Sequence, residues 1–296
     1  MRHQEFYKKF GTDRKCRVYL KAKREDVGVW CKNCDHNEHY WHKGKESFQC
    51  KKCGFRTSLR NGTIMQASKL PIKTWFECIH LMTATKKGVS ALEMQRQLGL
   101  KRYEPVWYMM QKIRVVMGLI NCSESLQGTV EIDDAFFNVD SLNKDKDEPP
   151  KRGRGSQKKQ PVVLMVETAS GKDIKGWVGK LKAFSVERLD GESILNLEAL
   201  NLEKAKGYKT DGYSIYHKLD KTKHRRFKVP PHLAGVILPW VHIAISNFKR
   251  AFHGIYHHMN TKYLQDYLDE MVFKFNNRHC KNRFNSILIN GLHPFW

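Results

Sequence analysis

The sequence predicts a multi-domain α+β protein on three observations: two Cys-x-x-Cys pairs near the start, a helical stretch after them, and a change to strand-like periodicity at Gly128. With 296 residues the chain can form two or three domains with a well-buried core. Residues 1–25 read as a polar, basic segment and 26–60 as a Cys-, Gly- and Lys-rich module with short strands. Residues 61–120 read as helical, and 128–296 as a mixed α/β domain of the kind that carries catalysis. Within that last domain, 143–160 holds seven basic residues, three acidic ones, two prolines and two glycines, and is expected to be a mobile basic loop.

The charge balance narrows the partner. Lys and Arg total 53 against 30 Asp and Glu, a net charge of +23. Keeping so much like charge compact is costly unless it meets a polyanion, so nucleic acid is the expected partner. A membrane surface is the rival, but no apolar run approaches the ~20 residues of a spanning helix. The first residues lack an apolar core of the secretory kind. A soluble, intracellular protein is therefore expected. The 8 cysteines agree: Cys16, Cys78, Cys122 and Cys280 are scattered and read as reduced thiols, Cys78 and Cys122 as core filler.

The other four form a pattern. Cys31-x2-Cys34 is followed after 15 residues by Cys50-x2-Cys53. Each knuckle aims two sulfurs at one point, so the pairs can close a tetrahedral zinc site. Gly54 suits the tight turn of the second knuckle. Four thiolates leave no open position for substrate, so this zinc is expected to be structural, its binding energy serving folding. His36, His39 and His42 lie between the pairs and read as surface residues, with displacement of one cysteine as ligand the alternative. Lys32, Lys43, Lys45, Lys51, Lys52 and Arg56 make the module a plausible phosphate-contacting surface.

Pro71 suits the first turn of a helix through Trp75, Cys78, Ile79 and Met82. Next, 88–100 has the texture of a helix-turn-helix: Ser90 as cap, Leu92, Met94 and Leu98 on the apolar side, and Gly99 at the turn. A second helix is expected over 103–116 through Trp107, Met110 and Ile113. If it enters a major groove, Arg102, Gln111, Lys112 and Arg114 would be available to DNA. A helical hairpin that only packs is the plainer alternative.

Beyond Gly128, strands are expected at 129–133, 161–166 and 176–184, a helix at 193–205, and a short strand at 208–210 ending on Asp211. Tyr263, Leu264, Tyr267, Leu268, Met271, Val272 and Phe275 fall at helical spacing and should pack on the sheet. On the first strand Glu131 and Asp133 share a face and Asp134 takes the other. Paired carboxylates at strand ends can bind divalent cations, although spacing alone would favour structural roles for them.

Taken in order, several motifs resemble one family. The cysteine pairs, Thr63-Ile64-Met65, Ser68-Lys69-Leu70-Pro71, Leu81-Met82-Thr83 and Lys86-Lys87-Gly88-Val89-Ser90 resemble its front half. Val130-Glu131-Ile132-Asp133, Thr210-Asp211-Gly212-Tyr213, Gly254-Ile255-Tyr256-His257-His258 and Tyr267-Leu268-Asp269-Glu270 resemble its back half. The family is the insertion-sequence transposases of the DDE class with an N-terminal zinc ribbon and an ISXO-type catalytic domain. The resemblance implies a ribonuclease-H-like fold and a triad holding Mg or Mn for strand cleavage and transfer. Asp133 fits its first position and Asp211 its second. The third, usually Glu, commonly stands seven residues before a basic one. Lys249 is that basic residue here, and counting back gives His242, with Asn247 as the alternative. Lys249, helped by Arg250, would contact a phosphate near the scissile bond. The resemblance also implies binding of double-stranded element ends and target DNA, multimeric action, and a place on the chromosome in a prokaryotic cytoplasm. The reading from another class is a zinc-ribbon and helix-turn-helix DNA-binding regulator on a degenerate transposase scaffold, needing no divalent ion.

Overall fold

The computed structural model describes residues 2–123, 125–140, 159–168, 178–228, 230, 234–256 and 259–293. The chain forms two compact units, Met1–Val116 with Cys280–Trp296, and Met117–His279. Most of the expected basic loop, 143–158, and the pair His257 and His258 lie outside the described residues.

The first unit opens with two helices, α1 (His3–Phe10) and α2 (Asp13–Val27), where a polar, basic segment with a short helix was expected. Their few apolar side chains fall at i, i+4 spacing, so Phe6, Phe10, Cys16 and Leu20 are all buried. Thr12 caps α2 by accepting the N–H of Lys15. Phe10 packs against Phe76 of α3 (Ile72–Ala84) and Phe284 of α10 (Arg283–Asn290), at centroid distances of 5.2 and 5.4 Å. The Ile64 N–H donates to the Gly291 carbonyl at 2.9 Å, so the end of the chain closes this core. Strands β1 (His39–His42), β2 (Ser47–Cys50) and β3 (Arg56–Ser58) form a small antiparallel sheet in that order. Helices α4 (Ala91–Leu98) and α5 (Glu104–Cys122) follow. Ser90 caps α4, accepting from the Glu93 N–H at 3.2 Å, and Gly99 ends it at φ +63°.

The second unit is built on a five-stranded sheet of order β6-β5-β4-β7-β8. Its strands are β4 (Gly128–Asn138), β5 (Lys159–Thr168), β6 (Val178–Ser185), β7 (Ala205–Asp211) and β8 (His224–Phe227). The first three pair antiparallel, as hairpin neighbours can, whereas β7 runs parallel to β4 and β8 parallel to β7. Helix α6 (Gly191–Asn201) lies in the crossover that parallel pairing demands. Period-two alternation sorts the two faces. Val130, Ile132, Val163, Met165 and Tyr208 join Ile194 of α6 in one core. Ala135, Phe137, Leu164 and Leu181 join α8 (Pro239–Ile255) and α9 (Leu264–Asn276) in the other, with the short α7 (Ala234–Ile237) leading into α8. The stripe from Leu264 to Val272 packs there as expected. Among the described residues, no helix is long and apolar enough to cross a membrane.

One acidic group on α9 ionises later than an ordinary aspartate. Asp269 accepts from Gln265 Nε2 at 3.0 Å, and its carboxyl crowds Gly118. Burial pushes its pKa up to about 7, and Asp266 adds to the rise. A folded value above the unfolded one means that ionisation is penalised in the native state. Stability is fully present below the ordinary aspartate range and declines as pH rises to about 7, then levels off. Asp269→Asn should therefore stabilise the chain by about 2–4 kcal/mol at a pH of about 8 and change little at a pH of about 4. Urea unfolding at both conditions tests this, and equal shifts at the two would exclude it.

Candidate functional site

The four paired cysteines converge. Cys31 Sγ lies 3.5 Å from Cys53 Sγ, and Cys34 Sγ lies 3.6 Å from Cys50 and 3.4 Å from Cys53. All four sulfurs fall within 4.8 Å of one another. Sulfurs ~2.3 Å from a tetrahedral zinc would stand about 3.8 Å apart, so the donor set fits that ion. The two knuckles share one backbone geometry. The N–H of Asp35 donates to the Cys31 carbonyl and that of Gly54 to Cys50, while Cys31 and Cys50 donate to His36 and Phe55. Both turns need a left-handed residue, Gly54 at φ +72° and Asp35 at +53°. The N–H of Phe55 and the side chain of Asn33 draw the Cys53 thiol down to about 6.

Sequence reasoning missed what anchors this module. Arg24 of α2 is buried, and one Nη donates to the carbonyls of Ser58, Leu59 and Asn61 at 2.8–3.0 Å. Burial without a counter-ion pulls its pKa down to about 10. Nothing local marks Arg24, because its partners lie more than thirty residues away in the chain.

In the second unit, β4 and β7 are parallel neighbours with Glu131 paired to Lys209. Asp133 and Asp211, two residues further along each strand, come side by side on one face. Asp133 is 8% exposed. Burial, then the charges of Asp134 and Asp211, push its pKa up to about 7, against the opposing Asp134 N–H and Lys249 charge. His242, in the first turns of α8, brings Nε2 to 3.7 Å from Asp133 Oδ2. Burial lowers the His242 pKa, while Asp211 acts to raise it. Asp211 Oδ1 accepts the Tyr213 N–H at 3.0 Å. Asp134 points to the opposite face, where the buried Tyr216 hydroxyl donates to it at 3.3 Å. Asn247 follows His242 by five residues, about 140° around the helix, and its amide oxygen accepts from Arg250 at 2.7 Å on the exposed side. Asp133 thus has His242 at 3.7 Å and both Asp211 and Lys249 within electrostatic reach, whereas Asn247 turns to the exposed side. Among the described residues the four cysteines are the only group of three or more potential ligands already gathered around one point; the Asp133 site is open.

Glu131 holds this arrangement. It is 2% exposed, and its Oε2 accepts the N–H groups of Trp240 and Val241, both at 2.9 Å. Pro239, before them, has no N–H, and the His242 N–H bonds back to Leu238. The unsatisfied donors of the first turn of α8 are thereby accounted for.

The expected DNA-facing side of α5 needs correction. Arg102 is exposed, but Lys112 is half-buried and donates to the Gln66 carbonyl at 3.1 Å. Gln111 is buried and Arg114 is 1% exposed, so neither can meet a groove. The exposed face carries Tyr108, Val115 and Leu119 instead. On α4, Met94 packs but Leu92 faces solvent. Cys78 fills the core as expected, whereas Cys122 is exposed. Lys249 and Arg250 are exposed on α8, as are the six basic residues named on the cysteine module, with Lys51 paired to Glu38.

Comparison with known proteins places this geometry in context. The family model for an ISXO2-like transposase domain matches residues 125–276, just over half of the chain. An uncharacterized protein in transposable element ISH50 of Halobacterium salinarum is 24% identical over 225 residues, which is 72% of each chain. Among solved structures, the Mos1 strand transfer complex is 12% identical at a TM-score of 0.23, covering 73% of this chain and 78% of that one. The Mos1 mariner paired end complex with Mn is 12% identical at 0.24, with the same coverage.

Two outcomes follow from these sites. The purified chain should carry about one zinc, and Cys50→Ser should lose it and expose the small sheet to protease; cysteines that react freely in the untreated protein would refute the site. Glu131→Ala should orphan two buried N–H groups and lower stability by about 2–4 kcal/mol. Glu131→Gln, which keeps an acceptor oxygen, should lose markedly less in the same urea titration. Equal losses would argue against the cap.

Proposed function

The chain belongs to the ISXO2-like transposase family, and we propose that it is the DNA transposase of an insertion sequence, binding its terminal inverted repeats and catalysing divalent-metal-dependent strand cleavage and transfer. The observation that carries this reading is the meeting of Asp133 and Asp211 on adjacent parallel strands, with His242 3.7 Å from Asp133. The sheet, with β6, β5 and β4 antiparallel and β7 and β8 parallel to β4, supports a ribonuclease-H-like catalytic domain.

The donor chemistry fits divalent cations. Burial first, and then the charges of Asp134 and Asp211, raise Asp133 to about 7 against the opposing charge of Lys249, and a divalent cation would offset both causes. Asp133, Asp211 and His242 would hold Mg or Mn. Ions bound there supply Lewis acidity, activating the attacking oxygen and stabilising the leaving one. Imidazole is softer than carboxylate and brings no charge, which favours Mn. Lys249, within electrostatic reach of Asp133, would orient the phosphate, with Arg250 beside it on the helix. Glu131 holds the first turn of α8, and hence His242, against the strand that carries Asp133.

Zinc on the four cysteines would shape the recognition module and take no part in the reaction. That module and the α4–α5 pair, acting as a helix-turn-helix with Arg102 exposed, would engage element-end DNA. Multimeric action on DNA at the prokaryotic chromosome completes the proposal.

The test is cutting and joining of element-end DNA. Wild-type protein should act with Mn, and less with Mg. Asp133→Ala or Asp211→Ala should reduce the rate by about a thousandfold or more while leaving salt-sensitive DNA binding in place. His242→Glu should shift the preference towards Mg. Wild-type protein that binds these ends and never cuts or joins them with either ion would sink the enzyme reading.

A further inference from the structure

The sheet of the second unit is paved unevenly. On the face that carries Glu131 and Asp133, the core made with α8 and α9 draws residues from β4, β5 and β6 and none from β7 or β8. The opposite face does use β7, through Ala205 and Tyr208. Register assigns the side chains of the unpaved half. Glu131 pairs with Lys209, Lys209 with Arg225, and Asp211 with Phe227, so Lys209, Asp211, Arg225 and Phe227 all share the Asp133 face. Arg225 is exposed on the edge strand, and Lys228, also exposed, follows where β8 ends beside Gly212. Among the described residues, this half of the face belongs to neither core.

We infer that the uncovered face of β7 and β8 is a track for the DNA backbone, with Arg225 binding a phosphate of the strand whose scissile bond lies at Asp133 and Asp211. This rests on the transposase reading above. Three features carry it. The face is continuous with the acidic site on one sheet, and among the described residues neither helical core draws on it. Its outer charge is cationic, matching a polyanion. Strands ~4.8 Å apart set Arg225 about 10 Å from the line of Asp133, the reach of two or three nucleotides at ~3.4 Å each. A guanidinium suits that role, since its planar fork bonds two phosphate oxygens at once. Contacts of this kind fix the register of the duplex and carry no sequence information.

Arg226 supplies the control. It too is exposed, on the same strand and of the same charge, but it pairs with Thr210 and so faces the other side of the sheet. Arg225→Gln and Arg226→Gln should be compared in the full chain for binding of a labelled element-end duplex across a salt series, and for its cleavage. Arg225→Gln should weaken binding about 5–10-fold at low salt, reduce the slope of log K against log salt by about one, and raise KM for cleavage. Arg226→Gln should change binding less than about twofold. Equal effects, or no effect of Arg225→Gln in a series where wild type binds and cuts, would overturn the track and leave the enzyme reading standing. Unchanged DNA affinity with a loss of self-association would also overturn it, making this face a contact between copies. Failure of the wild type itself to cut would remove both.

Discussion

Two hydrogen bonds hold the second unit in its working form. The N–H groups of Trp240 and Val241 reach across to Glu131, tying the first turn of α8 to the middle strand of the sheet. A carboxylate this buried is costly alone, yet the positive end of a seventeen-residue helix offers it both donors and a favourable field. Asp133 lies two residues along the strand, and His242 is the next residue of the helix. The spacing between these two groups is therefore set by a contact that neither of them makes. Loosening that contact would alter both the stability of α8 and the distance from imidazole to carboxylate.

The two clusters of potential ligands illustrate opposite ways to treat a cation. The sulfurs of Cys31, Cys34, Cys50 and Cys53 already lie within 4.8 Å of one another, so an ion there would finish a fold and meet no substrate. Asp133, Asp211 and His242 are looser: burial first, and then the neighbouring carboxylates, keep Asp133 from ionising at the usual aspartate pH, with Lys249 as the opposing charge.

Much of this was legible in the chain. The cysteine spacing, the Ser90 cap, the Gly99 stop, the alternation of β4 and the apolar run of β5 are local signals, and local signals survive in sequence. What escaped is mostly long-range. Glu131 finds its partners more than a hundred residues away, and Arg24 caps carbonyls of a distant turn. Strand β8 is four residues of His, Arg and Phe, too short and too charged to resemble a strand before β7 is there to pair with it. The first two helices are hard to see because their apolar residues at helical spacing, Phe6 and Phe10 in one and Cys16 and Leu20 in the other, are outnumbered by charged ones. Arg114 shows the converse: a basic residue on an expected recognition helix was read as available, and packing buried it.

The path of the chain has a consequence for how the protein is made. Phe284 packs on Phe6, Phe10 and Phe76, so the core of the first unit needs side chains from both ends of the sequence. In the sequence, the second unit is thus an insertion within the first. A ribosome releases the opening helices and the cysteine module long before the segment that completes their aromatic core. During that interval Phe6, Phe10 and Phe76 lack one of their ring partners. Synthesis therefore sets an order of completion, and the sheet that carries Asp133 and Asp211 leaves the ribosome before the core of the first unit can close.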